Sequence, residues 1–392
     1  VLRYLVPIYD PDVKNWSVEA RLLRWLTFLW LILGLIALFS ASYALSASKN
    51  GDGLYLIKRQ LIWVWLGLIG LNLVIQCPLN KLLKIAPWMV LGVLSLIIAT
   101  LVPGLGSQVN GATRWIAFGP ILLQPSELMK PFLVLQSARL FGNWDRLRWG
   151  IRLGWLGIFA AVLAGILLQP NLSTTALCGM TIWLIALAAG LPLRYLSLTA
   201  IGGFLLAFTS ISIREYQKRR VLSFLNPWAD ARGDGYQLVQ SLLAVGSGGT
   251  WGSGYGLSQQ KLFYLPFPDT DFIFAVFAEE FGFAGGVVLL LLLMLYATLA
   301  LLVALKCRHP IKRLVAMGVM IVLVGQSLLN IGVATGSLPT TGLPLPLFSY
   351  GGSSSLASLF LAGLLIRVAR ESSEADVVPI VSHRQEKNMT TK

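Results

Sequence analysis

The chain has 392 residues, of which 56% are hydrophobic and only 12% charged, against roughly 25% charged in soluble domains; its mean hydropathy is +0.73. These values exclude a soluble globular enzyme and point to an all-α polytopic membrane protein. The net charge of +14 belongs to membrane topology and anionic lipid heads. Nucleic acid is excluded as a partner, because the charges form no stripe with interleaved aromatics.

Apolar segments near the ~20 residues that cross a bilayer predict ten spans: 25–45, 61–76, 85–102, 126–141, 151–168, 175–191, 195–213, 272–304, 314–336 and 352–368. The fourth is short and polar. The eighth is too long for a straight crossing and should tilt, extend beyond the membrane, or bend near Gly282, Gly285 and Gly286. The first span follows some 24 mixed residues, so no cleaved signal peptide is read. Since the chain starts at Val1, an initiator or a few residues are expected to be missing.

Basic residues orient the spans. With the N-terminus inside, the cytoplasmic set contains Arg21, Arg24, Lys81, Lys84, Arg146, Arg148, Arg152, Arg194, Lys306, Arg308, Lys312, Arg313, Arg367 and Arg370. The exterior set is about half as large and gathers at Lys58 with Arg59 and between Arg214 and Lys261. Both termini are thus predicted cytoplasmic: an N-terminal segment 1–24, a membrane domain 25–370 and a disordered tail 371–392.

Cys77, Cys178 and Cys307 offer neither a disulfide framework nor a CxxC site. His309 and His383 fall on the cytoplasmic side, away from any exterior metal or triad chemistry. The run GSGGTWGSGYG, 246–256, fits no nucleotide-binding context; it reads as a flexible loop that lets backbone approach other surfaces.

Between spans seven and eight lies a large extracytoplasmic loop, 214–271, too long for a simple connector and so expected to be functional. Leu238, Leu242 and Val245 at helical spacing predict a stretch lying along the bilayer surface. Further exterior segments are 107–130, 169–175 and 337–355.

Five linked motifs carry a resemblance. NGATRW followed by QPSELMK, then FLNPWADARGDGYQLVQSLLAVGSGG, QQKLFYLP, TDFIFAVFAEEFG and GLPLPLFSYGGSSSL are similar to the signature segments of the SEDS family, the FtsW, RodA and SpoVE proteins. They stand in the family's order across nearly the whole chain. NPWAD and QQKLFYLP are nearer the division (FtsW) branch than the elongation (RodA) branch.

The resemblance implies a peptidoglycan glycosyltransferase that polymerises lipid II at the outer face of the bacterial cytoplasmic membrane. It puts the family's catalytic carboxylate on Asp271, and it implies a class B penicillin-binding protein transpeptidase and other divisome membrane proteins as partners at the septum. Chemistry agrees: the acceptor hydroxyl must lose a proton, and a membrane-surface aspartate can take it. The pyrophosphate leaving group needs positive charge rather than a second acid. Arg114 occupies the arginine of the NGATRW motif, and Arg219, Arg220 and Lys261 are further exterior cations, with lipid-headgroup anchoring as the alternative for Arg219 and Arg220. No cofactor is required by the sequence; a divalent cation such as Mg2+ or Mn2+, held by Asp271 with Asp269, is an alternative supplement.

The remaining polar residues divide between architecture and substrate contact. Along the helix from Asp271, Glu279 lies about 80° around and ~12 Å deeper, and Glu280 faces away; structural pairing, with Lys130 or Arg139 as partners, or acid-lined cavity polarity is expected of these two ahead of catalysis. Asp269 reads as a helix cap or solvated acid, or as an assistant to Asp271. Glu127 and Lys130 should pair along one helix face or line a substrate cavity, with Ser126 or Gln124 as cap. QPNLST carries Asn171 where many family members have an acid, so only hydrogen bonding to a sugar or to backbone is expected there. PFPDTDF lacks the glutamate and histidine of the family's PEAHTDF. In the last exterior loop Ser353 is a turn or cap residue, or a substrate contact. Two non-enzymatic readings stay open, a lipid II flippase and a divisome scaffold, as does an elongation-type role.

Overall fold

The structure, a computed structural model, describes residue 13 and residues 16–374 apart from 110, 111 and 120. The long helices are α1 (Val18–Asn50), α2 (Tyr55–Gln76), α3 (Leu79–Ala99), α4 (Pro125–Gly142), α5 (Trp149–Leu168), α6 (Leu172–Ala188), α7 (Leu193–Ile213), α10 (Ile273–Lys306), α11 (Pro310–Ala334) and α12 (Gly352–Glu374). They fall on the ten predicted spans. Eight of them are long and apolar enough to cross a membrane; α6 is shorter, and α4 is too polar. The protein is a multi-pass membrane protein.

Burial explains how the polar α4 is tolerated. Its two faces are enclosed by α3, α6, α11 and α12, and even Ser126, Glu127, Lys130, Gln136 and Ser137 are buried. A polar helix at membrane depth needs protein rather than lipid around it. The opposite case is α7, which is apolar throughout and buries only Leu196.

Three features extend or correct the sequence reading. Segment 106–123 forms a small antiparallel meander of β1 (Gly106–Val109), β2 (Ala112–Phe118) and β3 (Ile121–Leu123). The long loop contains α8 (Glu215–Leu225) and α9 (Tyr236–Ser247). Leu238 of α9 is buried, Leu242 packs against Gly336, and Ser241 Oγ donates to Ala334 O at 2.7 Å. The apolar stripe of α9 therefore covers α10 and α11 instead of the bilayer.

Helix α10 breaks at Gly282, at φ +66 and ψ −165, one of the predicted bend sites. The glycine-rich run fills the break. Ser253 N and Gly254 N donate to Glu279 O and Glu280 O at 2.9 and 3.1 Å, while Phe283 N and Ala284 N donate to Gly249 O and Thr250 O at 2.8 and 3.0 Å. Backbone groups that lose helical partners thus gain new ones. The approach is close enough that a Cβ on Gly252 would stand 2.1 Å from Glu280 O. The run was expected to be flexible; it is pinned.

An ion pair and a hydrogen bond join α1 to α10. Lys306 pairs with Glu19 where α1 begins and α10 ends. At the second contact, Lys261 and Ser40 bind Glu280. Glu19 and Ser40 are separated by roughly 30 Å of helix α1 at 1.5 Å per residue, which matches the hydrocarbon thickness of a bilayer. The break in α10 lies next to the second of these contacts. Glu279 and Glu280 are buried, and α10 begins at Ile273, after Asp271, so the helical extrapolation from Asp271 does not set their position.

The tail expected to be disordered from 371 starts as helix: residues 371–374 continue α12. Glu371 is bound there by Arg367 Nε, Leu79 N and Lys312 Nζ, each at 2.8 Å. Residues 375–392, with His383, lie outside the described residues.

Candidate functional site

Asp271 ends the loop that leads into α10, and three successive carbonyls of its turn are held by α11 and the segment between α11 and α12. Tyr350 N donates to Asp269 O at 2.8 Å, Ser349 Oγ to Thr270 O at 2.6 Å, and Asn330 Nδ2 to Asp271 O at 2.8 Å. The turn is thus fixed through its backbone, leaving the Asp271 carboxylate for other contacts. Gly342 lies against it: a Cβ there would be 3.4 Å from Asp271 Oδ2.

Two arginines flank this carboxylate. Arg220 projects from α8, its guanidinium stacked on Tyr216 at 4.6 Å and donating Nη1 to Thr340 O at 3.2 Å. Arg114 projects from β2 and donates Nε to Gln169 O at 3.0 Å and Nη2 to Pro170 O at 2.6 Å. Burial pushes the Asp271 carboxyl up to about 6; Arg220 opposes the rise, Asp269 adds to it, and Arg114 opposes it. The result is a carboxylate poised near neutrality, as a general base requires, beside guanidinium donors suited to phosphate oxygens.

Asp269 is buried, contrary to a solvated acid, and the residue that caps α10 is Phe272. Burial pushes its carboxyl up, against its own amide and Lys49. Among the described residues no group of three or more His, Cys, Asp or Glu gathers as a cation site. The carboxylates nearest the turn are the two aspartates, a donor set that suits Mg2+ only when water and substrate phosphates complete it.

Other predicted site residues are placed elsewhere. Lys261 is buried against Glu280 at 2.6 Å and Ser40 at 2.7 Å, because an acid in that environment needs a partner. Neither Lys130 nor Arg139 reaches the tandem acids: Glu279 accepts from Ser258 Oγ, Gln259 N and Gln260 N at 2.5, 2.9 and 3.3 Å, and Arg139 donates to Leu83 O. Arg219 is exposed and pairs with Glu215 and Asp234. Asn171 caps α6 by accepting from Thr174 N at 3.2 Å. Ser353 accepts from Gln124 N at 2.9 Å and is buried.

Glu127 and Lys130 do pair, at 2.6 Å, and Lys130 Nζ also donates to Gln326 Oε1 at 2.9 Å. Gln124 forms the cap position of α4 without a side-chain cap bond, its amide reaching Ser126 Oγ instead. The Gln326 amide then donates to Pro344 O at 2.7 Å. A buried polar path therefore runs from α4 through α11 to the loop beside Asp271. Gln326 and Asn330, unanticipated from the sequence, stand one helical turn apart, just after a π-helical stretch Ile321–Gly325. Such insertions re-aim side chains and recur at functional sites.

The family model of the FtsW/RodA/SpoVE proteins, described as a cell cycle protein, matches residues 20–374. The chain belongs to this family. Family relatives include the probable peptidoglycan glycosyltransferase FtsW of Synechocystis sp., 63% identical over 97% of this chain and 96% of that one. Among solved structures, a chain of a peptidoglycan synthase complex, described as coordinating polymerization and crosslinking, superposes with a TM-score of 0.73 at 33% identity, covering 89% of this chain and 97% of the other. The rod shape determining protein RodA of Thermus thermophilus matches with a TM-score of 0.67 at 30% identity over 91% and 98% of the two chains. The two solved structures share this chain's fold over about nine-tenths of its length.

Proposed function

We propose that the protein is a peptidoglycan glycosyltransferase polymerising lipid II, with Asp271 as general base. The observation that carries the reading is one carboxylate, raised toward neutrality by burial, flanked by Arg220 and Arg114. The acceptor hydroxyl gives its proton to Asp271 as its oxygen bonds to the donor's anomeric carbon. The bond from that carbon to the pyrophosphate oxygen breaks, and its electron pair leaves on the lipid pyrophosphate. Arg220 and Arg114 stabilise that anion through guanidinium donors left over from their carbonyl bonds. If a divalent cation takes part, Asp271 and Asp269 are the residues that would hold it, and it would neutralise phosphate charge.

The site faces the outer side of the cytoplasmic membrane in this reading, with both termini cytoplasmic and the protein at the septum. A class B penicillin-binding protein transpeptidase is the proposed partner, in keeping with the synthase complex that the fold resembles. The test is polymerisation of purified lipid II by the protein with that partner, wild type against Asp271→Asn. Polymer from the wild type alone supports the enzyme. Transport into vesicles without polymer would favour a flippase, and normal division by Asp271→Asn cells a scaffold.

A further inference from the structure

Asn330 is buried in α11, and its amide is committed in one direction. Nδ2 donates to two carbonyls from different segments, Asp271 O and Leu343 O, both at 2.8 Å. Its Oδ1 is buried without a hydrogen-bond partner among the described residues. A buried polar atom left unpaired is costly, so this side chain serves its two donor bonds at the expense of its own acceptor. The alternative amide orientation would set an oxygen against two carbonyl oxygens.

The two carbonyls lie on the two segments that locate the reactive groups. Asp271 O belongs to the turn that carries the carboxylate. Leu343 O belongs to the segment whose Thr340 O receives Arg220 Nη1 at 3.2 Å, with Gly342 between them against Asp271 Oδ2. One amide therefore staples the carboxylate's segment to the segment that docks the arginine. One turn earlier, Gln326 holds the next residue of that segment, through Pro344 O, and is itself held by Lys130.

We propose that Asn330 is a positioning residue that fixes the separation of Asp271 from Arg220. The inference rests on the proposed glycosyl transfer, since that reaction is what needs base and cation at a set distance. It assigns the buried Glu127–Lys130 pair a part in the same task, as the anchor of the neighbouring staple.

The test is a double-mutant cycle between Asn330→Leu and Arg220→Ala in the complex with its transpeptidase partner, read as initial polymerisation rates. Asn330→Leu alone should lower kcat about 10²-fold with little change in KM, the scale of a ~1 Å misplacement. In the Arg220→Ala background the same change should cost only a few-fold, because the distance it sets no longer matters. The acid limb of the pH profile should also move to higher pH, since a carboxylate that drifts from a guanidinium loses the charge favouring its ionised form. If Asn330→Leu does not fold, Asn330→Ser, which keeps one donor, substitutes in the same cycle. Losses that multiply across the cycle, with an unmoved pH limb, would overturn the proposal and leave Asn330 a structural residue. Hydrogen exchange of the backbone at 270–273 separates this from the function itself. A wild-type complex that makes no polymer sinks the enzyme reading, whereas exchange in Asn330→Leu equal to that of the wild type overturns the staple by itself.

Discussion

Lys261 and Glu280 meet at 2.6 Å, both buried, beside the break in α10, with Ser40 of α1 bound to both. The pair therefore holds three segments together: α1, the stretch that follows the glycine-rich run, and the first part of α10. Lys261→Met would leave a buried carboxylate unpaired, and removing one partner of such a pair costs about 3–5 kcal/mol. A fall in thermal stability of the detergent-solubilised protein is expected. The double replacement Lys261→Met with Glu280→Met should recover most of it. A Lys261→Met protein of unchanged stability, with normal polymerisation, would remove the pair from this role.

Arg219 and Arg220 are neighbours in sequence and unequal in position. Arg220→Ala should lower the polymerisation rate about 10²-fold, the size of losing one preorganised donor to a developing anion. Arg219→Ala should leave the rate within about two-fold, because exposed ion pairs contribute little. Equal losses in the two variants would place the phosphate contact elsewhere on α8.

The Asp271 carboxyl near 6 gives the pH profile a sign. The base works ionised, so the rate should rise about ten-fold per unit below that value and level off above about pH 7. Arg220→Ala removes a charge that favours the ionised form, so its acid limb should move upward in pH. Initial rates across roughly pH 5 to 8 check both points, and a flat wild-type profile would count against Asp271 as base.

Gly252 has φ +84, and a Cβ would stand 2.1 Å from Glu280 O. Gly252→Ala should therefore lose folded yield or stability by more than ~1–2 kcal/mol, combining strain with a displaced loop. Gly246, at the end of α9 with nothing within 4 Å of a Cβ, is the contrast. Gly246→Ala should be neutral or stabilise by up to ~1 kcal/mol. Unfolding of the two variants side by side decides the point.

The spans were legible because the bilayer dictates a long apolar run wherever a helix faces lipid. Asp271 was singled out by its motif. What the sequence hid is how charges find partners across the fold. Lys261 reads as an exterior cation, yet Glu280 follows a loop that folds back nineteen positions later to meet it. The helical extrapolation from Asp271 failed for a local reason, since the turn 269–271 spends its carbonyls on Tyr350, Ser349 and Asn330 and the helix starts afterward. Gln326 and Asn330 carried a usable signal, two amides at a spacing of four within an apolar span. Their partners, Pro344 O, Leu343 O and Asp271 O, are backbone atoms and leave no mark in composition.

The paired contacts of α1 with α10 have a consequence for how the protein meets its membrane. Tied near both ends, these helices form a strut of fixed length, so a change of bilayer thickness cannot be absorbed by sliding one along the other. The adjustment falls to loosely held helices such as α7, or to the lipid itself. Asp271 stands nine residues before Glu280, so the proposed base is carried by the same joint.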